Sequence, residues 1–297
     1  VNRRRGDAIT RRQTGKKVPD VSASACSEAS IITLLTDFGG ADYFVAAVKG
    51  VIIAANPQVR LIDITHDIAP QDIESAAFTL LAASSAFPAG TIHLAVVDPG
   101  VGSERRPLLL QVGKQFFVGP DNGIFSYVCE RDGESGGKPK VFHITNDKVF
   151  RQPVSATFHG RDIFAPVAAA LSLGTKPASF GKEITDWIRL PPSQPVSSRK
   201  GGITGRIIHI DRFGNCVTNF RESDLKSQNI AAGFKLTVNG KSITSLRQYF
   251  AEAGKEKVFA IWGSAGFLEL ATTNGSAAKV LKAQPGDAVN VTFRVMS

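Results

Sequence analysis

From residue 31 onward the chain alternates between short apolar runs and amphipathic stretches. Ile31–Phe38 is nearly continuously apolar and ends in Gly39-Gly40, which predicts a buried strand and a turn. Tyr43–Asn56 then carries a helical pattern, with Asp42 placed to cap it. Arg60–His66 predicts a second strand and Asp72–Phe87 a second helix. Thr91–Asp98 predicts a third strand, closed by Pro99-Gly100-Val101-Gly102. Strand and helix alternating across glycine turns are the mark of parallel strands covered by helices.

The middle is less regular. Pro107–Gly113 and Gln115–Gly119 read as paired strands, Asn122–Arg131 as a short helix, and Lys140–Thr145 as a further strand. Gly160–Gly174 is an apolar helix interrupted by Pro166. Leu190–Gly202 is rich in proline, serine and glycine and has no hydrophobic period, so it reads as a linker. Beyond it the runs shorten and alternate: Ile203–Ile210, Phe234–Val238, Val258–Trp262, Phe267–Ala271 and Ala288–Val295, with a hairpin turn at Asn239-Gly240. The expected fold is α/β, an N-terminal α/β sandwich domain over 31–189 followed by a C-terminal antiparallel β-barrel domain over 203–297.

Composition changes this picture little. The 297 residues are 43% hydrophobic and 21% charged, ordinary for a chain with a core. The formal charge of +9 suggests nucleic acid, but a net five of it falls in residues 1–20. That segment has no hydrophobic period, and 1–30 reads as a basic, solvated tail. No nucleic-acid partner is therefore expected. No apolar run reaches the roughly 20 residues of a membrane span, so no membrane association is expected either. Cys26, Cys129 and Cys216 lack metal-ligand spacing, which points away from a metal site and towards a reducing, cytoplasmic setting.

Polar residues collect at predicted strand ends: Asp37, His66-Asp67 and Asp98. In open α/β sheets that edge binds ligands; one such carboxylate is more often a helix cap, but three beside glycine turns favour a site. The turn after Asp98 lacks both GxxxxGK[ST] and GxGxxG, so nucleotide triphosphates and dinucleotides lose their main support. Arg105, seven residues beyond Asp98, could fold back on it, although spacing alone favours a surface arginine. His159 stands at a helix entrance beside Gly160, where a ligand can approach closely, and Arg161 and Asp162 read as ties for that helix start. In the C-terminal part, Asp211–Asn215 and Asn219 punctuate a β-run. They suit either a tight turn or a clamp on a purine edge, and Phe250 and Trp262 suit either core or stacking faces.

Six ordered motifs, TDFGGADYF, HLAVVDPGVGS-ERR, GPDNG, FHGRD, DRFGN-VTN and GSAGFLELA, together resemble one family from Ile31 to the C-terminus. It is the S-adenosyl-L-methionine (SAM) hydroxide adenosyltransferases, relatives of the 5′-fluorinases and 5′-chlorinases. The resemblance implies hydrolysis of SAM to adenosine and L-methionine without a metal or organic cofactor, in a homotrimer whose sites lie between subunits. It implies that Asp98, Arg105 and His159 hold the attacking water. By the same resemblance Asp37 grips the ribose hydroxyls and Asp42 lies near the methionine amine. Asp211 and Ser264 bind methionine, Asn215 binds adenine, and Phe250 packs on it. The chain departs from the relatives at Phe44, Ala265 and Thr273, which bear on methionine recognition.

These residue types suit the chemistry. A sulfonium is already a good leaving group, so the barrier lies in aligning water with C5′. Orientation of that kind can contribute about 7–11 kcal/mol. The halogenases carry an uncharged residue in place of Asp98 and lack the histidine, and a carboxylate beside a halide would repel it. Two alternatives stand beside hydrolysis: a 5′-halogenase, and a non-catalytic adenosine- or SAM-binding protein.

Overall fold

The computed structural model describes residues 29–134, 136–191, 194–197, 202–225, 233–254 and 257–293. The basic segment 1–28 with Cys26, parts of the 190–202 stretch and residues 294–297 lie outside them.

Among the described residues, a seven-stranded sheet is built from β1 (Ile31–Thr36), β2 (Arg60–Thr65), β3 (Ile92–Val96), β4 (Pro107–Val112), β5 (Gln115–Pro120), β6 (Lys140–His143) and β7 (Glu183–Ile184). Its order is β2-β1-β3-β5-β4-β6-β7. The β2–β1, β1–β3 and β3–β5 pairs are parallel, as the strand–helix alternation predicts. The β5–β4, β4–β6 and β6–β7 pairs are antiparallel. Buried strands such as β3, wholly inaccessible along Ile92–Val96, explain the continuous apolar runs. Helices α1 (Phe44–Ala55), α2 (Ile73–Ser84), α3 (Ser126–Glu134) and α4 (Ala165–Ser172) cover the sheet. Val48 and Ile52 of α1 share one core cluster with α4, while α2 and α3 build the other.

Asp42 does not cap α1. The helix begins at Phe44 with Tyr43 as its N-cap residue and no side-chain cap bond, so Asp42 stands one residue too early. Asp72 does cap α2, accepting from the Ser75 N–H at 3.0 Å. The helix predicted from Asn122 starts at Ser126, because the Asn122 side chain accepts from the Ile124 N–H and holds a turn there.

The second sheet comprises β8 (Val196–Ser197), β9 (Gly202–Ile210), β10 (Cys216–Arg221), β11 (Phe234–Val238), β12 (Lys241–Ile243), β13 (Leu246–Arg247), β14 (Phe259–Trp262), β15 (Phe267–Ala271) and β16 (Ala288–Phe293), with α5 (Ala277–Leu281) before the last strand. The path β12-β11-β16-β9-β10-β15-β14-β13 is antiparallel apart from β13–β14, and β8 adds to β9. Thus Val196 and Ser197, within the stretch read as a linker, pair with Thr204 and Ile203. The two sheets meet at α2: His209 of β9 stacks on Phe78 with centroids 4.9 Å apart and lies 2.9 Å from Ser75 Oγ. Arg206 pairs with Glu74, which also accepts from the Tyr127 hydroxyl. Among the described residues no helix is long and apolar enough to cross a membrane.

Candidate active site

Because β2, β1, β3 and β5 run parallel, their carboxyl ends lie along one edge. Asp37, His66, Asp98 and Asp121 each stand just beyond one of those ends. β4 runs the opposite way, so its start brings Arg105 to the same edge.

Arg105 folds back on Asp98. Its Nε donates to Asp98 Oδ1 at 2.9 Å and its Nη2 to Oδ2, a bidentate pair with side chains only 8% and 5% exposed. The same Nη2 lies 2.9 Å from Nδ1 of His159. A guanidinium has no lone pair to offer, so Nδ1 must be the acceptor and the ring proton sits on Nε2. Burial first, and then the positive charge of Arg105, hold the imidazole pKa below its ordinary 6.5, against Asp98 and Asp162. His159 is therefore a neutral donor through Nε2–H. Arg105 also lies over the Phe164 ring at 5.1 Å, and its Nη1 is buried with no hydrogen bond among the described residues. A buried donor left so costs about 1–3 kcal/mol.

His159 opens a π turn, Gly160–Phe164, that precedes α4. Pro166 is the cause, since it has no N–H for the Asp162 carbonyl four residues back. That carbonyl instead accepts from the Arg151 N–H at 2.9 Å. The Asp162 carboxylate is fully buried and takes Arg161, Arg151 and the Ser155 N–H, which ties the helix start as the sequence suggests. Across the site, Gly102 adopts φ +78° and passes so close to Ala156 that a Cβ would sit 2.2 Å from its carbonyl oxygen. The loop bearing Arg105 and the segment before His159 are thereby locked together.

Asp37, Asp98 and His159 line one cavity of about 380 Å³. Gln71, in the left-handed region at φ +68°, donates its N–H to Asp37 Oδ2 at 3.0 Å and so orients the carboxylate. Behind Asp37, the Thr36 hydroxyl accepts from the Phe38 N–H at 3.2 Å and lies 2.9 Å from His66 Nδ1. Nε2 of His66 is 3.1 Å from Asp63, which also pairs with Lys49. His66 thus braces the turn that presents Asp37. Sequence reasoning missed Gln71 and the aromatic wall of Phe38, Phe44 and Phe158, whose rings lie 5.2–5.9 Å apart. A positive φ at glutamine has no sequence signal, and Phe158 comes from a segment far from the motif that holds Phe38 and Phe44.

Asp211, Asn215 and Phe250 line a different cavity, of about 680 Å³, on the second sheet. Asp211 Oδ1 accepts from the Phe213 and Asn215 N–H groups at 2.9 and 2.8 Å, and Oδ2 from Asn215 Nδ2 at 2.8 Å. The tight-turn role is thus real for both residues. Asn219 does not face this cavity; its Oδ1 accepts from the Arg206 N–H at a bulge between β9 and β10. Ser264 lies exposed in the turn after β14, and Asp42 is exposed ahead of α1; neither lines either cavity. Among the described residues no three His, Cys, Asp or Glu side chains are grouped as a metal ion would require.

Comparison with known proteins bears directly on this arrangement. Residues 32–181 match the SAM hydroxide adenosyltransferase N-terminal domain, and residues 205–290 match the C-terminal domain of the same family. The chain belongs to the SAM hydroxide adenosyltransferase family. Within it, a Salinispora tropica protein named (R)-S-adenosyl-L-methionine hydrolase is 37% identical, over 88% of this chain and 97% of that one. A fluorinase from Nocardia brasiliensis is more distant at 25% identity, over 88% and 96%. A crystal structure of an uncharacterized conserved protein from Thermotoga maritima superposes with a TM-score of 0.80 at 33% identity, covering 88% of this chain and 99% of that one.

For a SAM hydroxide adenosyltransferase the division of residues is informative. Of the positions tied by resemblance to the nucleophile and the ribose, Asp37, Asp98 and His159 line the cavity of the first sheet, and Arg105 lies behind it against Asp98 and His159. Those tied to adenine line the cavity of the second, and the two cavities share no residue.

Proposed function

We propose that this chain hydrolyses the (R) epimer of S-adenosyl-L-methionine at ribose C5′, with Asp98, Arg105 and His159 holding the attacking water. Hydrolysis of SAM is the reaction its curated relatives are named for, and the epimer is taken from those names. The observation that carries the residue roles is the Arg105–His159 contact, which makes His159 a donor. Water that accepts from Nε2–H, on the side of the ring away from Arg105, has a lone pair left for C5′. As the C5′–O bond forms, the C5′–S bond breaks and its electron pair returns to sulfur, neutralising the sulfonium. The water proton passes to the Asp98 carboxylate and then to solvent. The phenylalanine wall supports a cationic substrate, since a desolvated cation over an aromatic face gains about 0.5–2 kcal/mol.

Asp37, with one oxygen fixed by Gln71, grips the ribose hydroxyls. Asp42, Asp211, Asn215, Phe250 and Ser264 act on the methionine and adenine ends. The separation of the two cavities within one chain supports a site completed by the second sheet of a neighbouring subunit, in the homotrimer that the resemblance implies. We read the sheets as an N-terminal domain and a C-terminal half-barrel domain meeting in 190–202. The buried free thiols Cys129 and Cys216 support a reducing, cytoplasmic setting.

The test supplies (R)-SAM in ¹⁸O-labelled water. Label in the adenosine 5′-hydroxyl is expected; methionine release without it overturns the proposal. Adding concentrated chloride separates the halogenase reading, which requires 5′-chloro-5′-deoxyadenosine to exceed adenosine. Tight binding without methionine release would instead identify a binding protein.

A further inference from the structure

The GPDNG segment contributes nothing to either cavity, yet it touches both shoulders of the catalytic loop. Asn122 Nδ2 donates to the carbonyl of Val97, the residue immediately before Asp98, at 2.8 Å. Asp121, with a side chain 2% exposed, receives Nε and Nη2 of Arg106, the residue immediately after Arg105, at 2.8 and 2.7 Å. Its own N–H donates to the Arg106 carbonyl at 2.9 Å. The remaining Asp121 oxygen accepts from the Ile188 N–H at 2.7 Å, and Arg106 also reaches Asp186 at 3.0 Å. Two adjacent residues therefore hold the two ends of the stretch that starts at Asp98 and ends at Arg105.

We infer that Asp121 and Asn122 are positioning residues for the hydrolysis: they fix both ends of the Asp98–Arg105 loop and so set how the carboxylate and guanidinium meet the water. The inference rests on the proposed roles of Asp98 and Arg105. The link is mechanical. Arg105 and Arg106 are neighbours leading into β4, and their side chains take different partners, Asp98 and Asp121. Anchoring Arg106 on Asp121 directs Arg105 towards Asp98. Anchoring the Val97 carbonyl fixes the residue from which Asp98 departs. A misplacement of about 1 Å in a reacting group can cost roughly 10²-fold in rate, whereas substrate grip through Asp37 is built on different segments and is left alone.

Asn122→Asp keeps the acceptor for the Ile124 N–H but turns the donor to Val97 into a charged oxygen that repels its carbonyl. Asn122→Ala removes both contacts, and Asp121→Asn weakens the Arg106 anchor. For folded Asn122→Asp protein, kcat for (R)-SAM is expected to fall roughly 10-fold to 100-fold. KM and the Kd for adenosine stay within about threefold by the same argument. In an Asp98→Asn background Asn122→Asp should cause little further loss, since there is no longer a carboxylate to position. A merely structural role would lower Tm and the folded fraction but leave kcat per folded molecule unchanged, and that result overturns the inference. So does a loss that multiplies independently with Asp98→Asn. If Asp121→Asn does not fold, the two partly exposed Asn122 variants decide the question. Failure of the underlying reading looks different: there the wild type releases no adenosine, or Asp98→Asn turns over like the wild type.

Discussion

Arg105 donates from Nη2 to Nδ1 of His159 across 2.9 Å, so the histidine is competent only when neutral. Protonating it would set two cations against each other and cost Nδ1 its lone pair. The rate of adenosine release should therefore hold at neutral pH and fall as pH drops through the His159 pKa, which lies below the ordinary 6.5. The sign for stability is the same. The unfolded chain takes up a proton near 6.5, and the folded ring takes it up only at lower pH. Stability is complete above that value and is lost as pH falls through the folded pKa. His93, His143 and His209 are shifted in the same direction, all chiefly by burial, His93 to about 4. A pH–rate profile and thermal melts in matched buffers check both statements.

Asp98→Asn keeps the shape of the side chain but removes the charge that faces Arg105 and that is proposed to accept the water proton. The expected loss in kcat is roughly 10²–10⁴-fold, with adenosine binding retained. Calorimetric titration with adenosine beside a methionine-release assay measures both halves. Equal loss of binding would assign Asp98 to substrate grip instead.

Gly102→Ala meets two obstacles, a left-handed φ of +78° and the Ala156 carbonyl 2.2 Å from the new Cβ. A loss of at least about 1–3 kcal/mol in stability is expected, together with reduced kcat, because the Arg105 loop and the His159 segment separate. Gly90→Ala is the control. At φ +84° and in open space it carries the backbone penalty alone, so Tm falls and kcat does not.

Thr36→Val removes the hydroxyl linking His66 to the Phe38 N–H without changing volume much. The Asp37 turn loosens while the Asp98–Arg105–His159 set is untouched. KM for SAM should rise about 5-fold to 10-fold, about 1 kcal/mol for one hydrogen bond, with kcat nearly constant. Steady-state kinetics settle this directly.

The parallel edge was legible because β1 and β3 carry nearly continuous apolar runs that end in an aspartate and a glycine turn. Asp37 and Asp98 could be picked out on that pattern alone. Arg105 could not: seven residues of spacing describe a surface arginine equally well, and only the ordered motifs raised it above that. The turn at Asp211 was read correctly in shape, since Asp, Gly and Asn are turn formers wherever they occur. What stayed hidden depends on pairings across the fold. No local pattern tells that Asn219 serves a bulge opposite Arg206, that Gln71 adopts a positive φ, or that Phe158 joins Phe38 and Phe44 in one wall. The Asp42 cap failed through a shift of a single residue at a helix start. At Pro166 the interruption was foreseen but its form was not, because whether a lost hydrogen bond yields a kink or a π turn depends on what else can take the freed carbonyl.

The separation of the two cavities has an evolutionary consequence. The groups proposed to face the nucleophile sit on two loops of the first sheet, whereas the residues proposed to face adenine stand on another framework altogether. A lineage could therefore exchange what attacks C5′ by altering a few loop positions and keep the adenine end of the site unchanged. On that division, chemistry and base recognition are free to diversify at different speeds.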